Sequence, residues 1–519
     1  MPQLSAHDAT FLYSDTTHSN ANVTLIHIYN QSTAPGGTVR FKTILTHIES
    51  RLDQLPILRQ KLHRVPLDLD YPYWVDDEQF DLEYHVRHLA LPKPGDWRQF
   101  CIQASRIHAR PLDLNRPLWE IYVIEGLDGF LDLPVGSFAL LTKMHHAAID
   151  VENGNQITML LHDLSATPEA TPPPAPWFAE RPPGLVPMVA RGVAHTVGAA
   201  ARLAGPLGRA VRRVAPAALT LAGDLLLRPH KLPPTRFNSV VSPHRVFETR
   251  RFMLDEFKTI RKLVDGATVN DAVLAVCGGG LRRYLDLYGE LPQPSLAAMA
   301  PFYVRPQGGG AAAVPELTWM RVTLGTDIAD PRQRLAMIHE QTASSEHLSR
   351  AVGARELTEV GSHVPAATLA LTAKLLGRAT AGIGRRSPLA HCTITNVPGP
   401  TVPLYLCGAR MTYFSAIMPI ADGMGLVFAV TSYDDRIIIS PTSCRELMPD
   451  PEVFAQCVRD SFQELLAAAQ APPARARAAR RPAAAPAATA SKAAPAAAPR
   501  PRRPRGSASG RRSPTAPMA

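Results

Sequence analysis

A chain of 519 residues, 45% of them apolar, can bury more than one hydrophobic core, because single cores stop growing at roughly 250–300 residues. Its formal net charge of +10 suggests an anionic partner only until it is located: residues 471–519 hold eleven Lys or Arg and no Asp or Glu, so the rest is close to neutral. Those arginines lack the interleaved aromatics that stack on bases, which argues against nucleic acid as the main partner, and six cysteines without a C-x-x-C pair or zinc-ligand spacing argue against a disulfide framework and fit reduced thiols in the cytoplasm.

The start, "MPQLSAHDATFLY", lacks the cationic end and apolar core of a signal peptide, so no secretion route is expected. Residues 1–165 alternate short apolar runs, "NVTLIHIYN", "LWEIYVIEGL" and "GSFALLTKM", with the helical pattern "FKTILTHIESRLDQL", in which Ile44, Leu45, Ile48 and Leu52 share one face. The run "SATPEATPPPAPW" is too proline-rich for a regular element and opens a linker and connector over 166–245. Between Leu185 and Leu227 the connector is rich in Ala, Leu and Val, and its charges before Asp224 are all arginines. Such a basic amphipathic helix suits a lipid surface or packs its apolar stripe on the protein.

A second α/β region spans 246–470. Its helix "TVNDAVLAVCGGGLRRYLDLYG" starts with Thr268 and Asp271 at capping-box spacing, and Asn270 and Asp271 fall in the first turn, where the helix dipole favours negative charge. The window Met411–Tyr433 has Asp422 as its single charge, but Pro419, Gly423 and Gly425 divide it into two strand-length pieces rather than a membrane helix. Residues 471–519 have almost no side chains for a core and are expected to be disordered.

The chemistry concentrates in "KMHHAAID", Lys143 to Asp150. Adjacent histidines on an extended segment point to opposite faces, so only one can face a given pocket, and a zinc site wants more ligands than this spacing offers. A histidine facing a pocket suits general-base work, since its ordinary pKa near 6.5 lets it take and return a proton near neutral pH. No G-x-S-x-G elbow accompanies the pair, which favours direct transfer over an acyl-enzyme. From spacing alone, two satisfied core histidines remain an alternative.

The run "HHAAID" resembles the HHxxxDG motif of the bacterial wax ester synthase/acyl-CoA:diacylglycerol acyltransferase family, and other segments resemble that family in order over residues 1–468. They are "QLSAHDATFLY", the PLW motif at Pro117, Leu118 and Trp119, the ND motif at Asn270 and Asp271, "PFYVR" from Pro301 to Arg305, and "TITNVPGP" from Thr393 to Pro400. The resemblance implies an α/β, two-domain CoA-dependent acyltransferase fold, similar to chloramphenicol acetyltransferase, with a channel between the domains. It makes His146 the general base and His145 its support, and gives Asp150 a structural ion pair for which Arg305 is a candidate partner. Pro117 and Trp119 would brace the strand leading to the site, and Asn270, Asp271 and Asn396 would line the channel or support it. The implied reaction moves a fatty acyl group from acyl-CoA, a co-substrate rather than a cofactor, to diacylglycerol, with no metal. Alternatives are a wax ester synthase using long-chain alcohols and a non-catalytic lipid-surface protein that keeps the fold. A cytoplasmic protein attached peripherally to membrane or lipid droplets follows from such substrates. Two departures stand out: Val151 replaces the motif glycine, so a β-branched residue must make a turn that prefers a permissive backbone, and Glu316, Leu317 and Thr318 stand where the family's Gly-Asn pair is expected.

Overall fold

The computed structural model describes residues 2–129, 133–148, 151–167, 177–180, 184, 186–194, 232–304, 316–349, 388 and 390–471. The expectations for Asp150, Arg305, residues 195–231 of the connector and the basic tail after residue 471 lie outside these residues. The first half of the chain contains strands β1 (Asn22–Asn30), β2 (Gln60–His63), β3 (Tyr73–Asp76), β4 (Val86–Ala90), β5 (Trp119–Leu127) and β6 (Ser137–His145). Its helices are α1 (Ala6–Ser14), α2 (Phe41–Glu49), α3 (Leu82–His85), α4 (Trp97–Ala109), α5 (Val151–Leu161) and α6 (residues 186–194). The second half adds β7 (Arg245–Phe247), β8 (Arg250–Met253), β9 (Ala297–Val304), β10 (Glu316–Thr323), β11 (Cys392–Pro398), β12 (Tyr405–Leu406), β13 (Ala409–Ile417), β14 (Val427–Tyr433) and β15 (Arg436–Cys444). Its helices are α7 (Leu254–Ile260), α8 (Val269–Leu287), α9 (Pro331–Ser349) and α10 (Pro451–Gln470).

β1 shows why the first apolar run is nearly continuous. It pairs antiparallel with β6 on one side and β13 on the other, and both of its faces are covered. Leu25 and Tyr29 meet Ile44 and Ile48 of α2 on one face, while Ile26 and Ile28 meet Phe100, Ala104 and Ile107 of α4 on the other. A strand covered on both faces loses the polar alternation of a half-exposed one. The face expected of α2 is buried at Ile44 and Ile48, and the chain continues to Leu52 through a tighter turn.

Two large sheets result, in the orders β12-β13-β1-β6-β5-β4 and β10-β9-β11-β14-β15-β7, with β8 also pairing β15, and β2 and β3 form a separate two-stranded sheet. β12 and β13 come from the second half of the chain yet complete the first sheet, so the sheets do not follow chain order. The seam is bonded: the Thr431 hydroxyl donates to the Phe414 carbonyl at 2.7 Å, and Ser415 and Ser440 hydroxyls meet at 2.7 Å. The low-charge window Met411–Tyr433 thus supplies most of β13 and all of β14. Among the described residues no helix is long and apolar enough to cross a membrane. All six cysteines are free thiols.

On the second sheet, α8 and α10 share a core that includes Leu274, Leu281, Phe454 and Val458. The Gly278–Gly280 run of α8 makes that contact close: a Cβ on Gly278 would stand 2.4 Å from the Leu324 carbonyl oxygen, and one on Gly280 2.8 Å from the Val458 side chain. α6 packs Met188 with Val65, Tyr73 and Val75 of the β2–β3 region, while its Val186 and Val193 stay exposed.

Candidate active site

The histidine pair sits where β6 ends. Antiparallel pairing sets Trp119 of β5 opposite Met144, and the next residue, His145, donates its N–H to the Leu118 carbonyl at 3.0 Å. The PLW segment therefore holds the backbone of the pair directly. Pro117 is buried and its carbonyl accepts the Trp119 N–H. The Trp119 indole donates to the Leu58 carbonyl at 2.8 Å and stacks on His85.

After His145 the chain turns out of the strand into a single tight turn, His146–Ala148, and the two rings fare differently. His145 is 1% exposed. Its Nδ1 accepts the Ala147 N–H at 3.1 Å, so its proton resides on Nε2, which donates to the Asp15 carboxylate at 3.1 Å. His146 is half-buried, and its Nδ1 is buried with no hydrogen-bond partner. The phenyl ring of Phe11 lies flat against it, with centroids 3.8 Å apart and planes 15° apart. Burial is the main force lowering the His146 pKa below 6.5, and the neighbouring His145 and His7 push the same way while its own carbonyl and Asp8 oppose. The ring is therefore neutral at pH 7, as a base must be.

Asp15, immediately after α1, organises both histidines. Its second oxygen accepts the Ala21 N–H at 2.8 Å, and the Ala21 carbonyl accepts the His146 N–H at 2.8 Å. The loop between grips the second half: His18 Nε2 is 3.2 Å from the Asp422 carboxylate, the Ser19 hydroxyl donates to the Ile420 carbonyl at 2.7 Å, and Arg245 donates to the His18 carbonyl at 2.8 Å. Docking of the two halves and placement of the pair are thus one construction. Sequence reading missed Asp15 and Phe11; their single signal is that they belong to or directly follow the N-terminal segment that carries the resemblance.

The other candidates lie elsewhere. Asp271 is 1% exposed. It closes the capping box with Thr268 and accepts bonds from His339 Nδ1 at 3.0 Å and the Thr342 hydroxyl at 2.8 Å, so its partners are its own helix start and α9. Asn270 beside it is exposed. Asn396 is exposed on β11, in register with Val430 of β14. Val151, expected to strain a turn, is the first residue of α5; a helical backbone accepts valine without a left-handed conformation.

Two sheets joined by strand exchange, with a histidine pair held at their bonded seam, define a CoA-dependent acyltransferase fold. Residues 4–273 match the wax ester synthase/diacylglycerol acyltransferase catalytic domain, and 316–466 match the C-terminal domain of the same family. A Mycobacterium tuberculosis H37Rv protein, provisionally named a diacylglycerol O-acyltransferase, is 30% identical over 469 residues, 90% of each chain. Another from that strain, named likewise, is 31% identical over 483 residues, 91% of this chain and 98% of its own. The solved wax ester synthase/diacylglycerol acyltransferase of Marinobacter aquaeolei VT8 superposes with a TM-score of 0.64 at 24% identity, covering 90% of this chain and all of that one. The trichothecene 15-O-acetyltransferase of Fusarium sporotrichioides shares the fold with a TM-score of 0.55 at 11% identity, over 90% of this chain and 94% of its own. The chain belongs to the wax ester synthase/diacylglycerol acyltransferase family and is an acyltransferase of that family.

Proposed function

We propose that this acyltransferase moves a fatty acyl group from acyl-CoA to the free hydroxyl of diacylglycerol, forming triacylglycerol, with His146 as general base. The carrying observation is the asymmetry of the pair: His145 has both ring nitrogens committed, whereas His146 is neutral and half-buried, its Nδ1 enclosed and its Nε2 the nitrogen left for a substrate. His146 takes the acceptor hydroxyl proton as the oxygen attacks the thioester carbonyl; the C–S bond then breaks and the imidazolium returns the proton to the CoA sulfur. His145, tied to Asp15, holds the turn from which His146 acts. Diacylglycerol is favoured as acceptor by the names of the relatives at about 30% identity. The family description also names wax esters, which makes a long-chain alcohol the second acceptor to try. Substrates of this kind place the protein at a cytoplasmic lipid surface, membrane or droplet.

The test is a labelled acyl-CoA assay of purified full-length protein with diacylglycerol and hexadecanol offered separately. Labelled triacylglycerol with the first and little product with the second is expected. Product with hexadecanol alone would make it a wax ester synthase, and none with either would leave a lipid-surface protein that retains the fold.

A further inference from the structure

A hydrogen bond to a neighbouring residue normally fixes the plane of a catalytic imidazole, and the buried Nδ1 of His146 has none, with its own carbonyl the single backbone acceptor acting on the ring. Helix α1 supplies a different restraint. His7 and Phe11, four residues apart, lie on one face of α1; the His7 ring meets the Phe11 edge at 5.4 Å and 89°, and the Phe11 face lies on His146 at 3.8 Å and 15°. The shelf is fixed to the turn it covers. Ala9, Leu12 and Tyr13 of α1 are buried in one cluster with Ala147 and Ala148, the two residues that follow His146. The helix start is capped by Ser5, whose hydroxyl accepts the Asp8 N–H at 3.1 Å, and Leu4 is pinned to the Pro72 carbonyl at 2.8 Å.

We propose that Phe11 is a positioning residue for His146: its phenyl face fixes the plane of the imidazole and keeps water from that side, work that no hydrogen bond to another residue does here. The proposal rests on the reading of His146 as the base. Burial is the largest influence on the His146 ring, and the titratable groups acting on it are His145 from β6 and His7 and Asp8 from α1, with Asp15 behind His145. Replacing the phenyl ring by a smaller side chain admits water to one face of the imidazole. Its proton affinity then rises toward the ordinary value near 6.5, and its orientation loosens.

The experiment is a set of pH–rate profiles for full-length wild type, Phe11→Leu, Phe11→Met and Phe11→Tyr, normalised to folded protein by near-UV circular dichroism, with His146→Ala as control. Phe11→Leu and Phe11→Met should lower kcat roughly tenfold, the scale of one aromatic contact. They should also move the acidic limb of kcat/KM to higher pH, and Phe11→Tyr, which keeps the ring, should restore both. An unmoved limb in both Leu and Met variants, with activity lost only in proportion to folded protein, would reduce Phe11 to packing and overturn the proposal while leaving the base intact. Wild-type turnover in His146→Ala would instead remove the base reading itself.

Discussion

The end of β6 and the start of α8 make an instructive pair, because each resembles a family motif and each places an ionisable side chain at the boundary of a regular element. At α8 every oxygen of Asp271 is used: one accepts Thr342, the other the Thr268 N–H and His339. The carboxylate is buried and welds α8 to α9. At β6 the same kind of saturation is reached by His145, and the residue after it is left over. The difference is that the fold consumes the bonds of Asp271 and His145, which fits structural work, and leaves the His146 ring without a bond to another residue, which is what the proposed base requires.

The sharpest way to break this comparison is to remove both members. His146→Ala should lower turnover by roughly two to four orders of magnitude, the usual contribution of a positioned general base, with an unchanged melting temperature; a comparable loss of stability would place His146 with Asp271. Asp271→Ala should do the reverse. It removes one half of a capping box and the acceptor of the Thr268 N–H, His339 and Thr342, none of them fully buried, costing about 1–2 kcal/mol in urea denaturation, while turnover per folded molecule holds.

Asp15→Asn sharpens the comparison from the side of the support. It weakens the charge-assisted bond to His145, worth roughly 1.5–3 kcal/mol, and should cut turnover about ten- to a hundredfold with a smaller loss of stability. The pH dependence follows from the direction of the His146 shift. The base works deprotonated and burial lowers its pKa, so wild-type kcat/KM should rise with pH and reach half its plateau below pH 6.5; a limb above that value would mean that a different group titrates. The smallest effect is expected at Val151. Because this residue is helical, Val151→Gly should cost roughly 0.5 kcal/mol and not accelerate the reaction, and a faster variant would show that the missing motif glycine limits turnover.

Local patterns were legible where one short segment carries them. The apolar period of α2, the capping box of α8, and the division of Met411–Tyr433 by Pro419, Gly423 and Gly425 each involve neighbours in the chain, and each appears as an element of the expected kind. The strand exchange that puts β13 beside β1 was not legible, because pairing between residues 24 and 417 leaves no local periodicity.

By itself, the sequence determined the α/β character, the neutral body with a basic tail, and the family, through an ordered set of short motifs. Spacing alone left both histidines of the pair open, and the ranking of His146 over His145 came from the resemblance. His27, His108 and His162 are all fully buried, and nothing in spacing separates them from His145 or His146. The tertiary structure alone set the surroundings of the pair, by bringing Asp15 and Ala147 to one ring and the face of Phe11 to the other. The physical reason is that a side chain's chemistry depends on which of its hydrogen bonds are already made and how far it is from water, and both are set by residues 130 and 135 positions away.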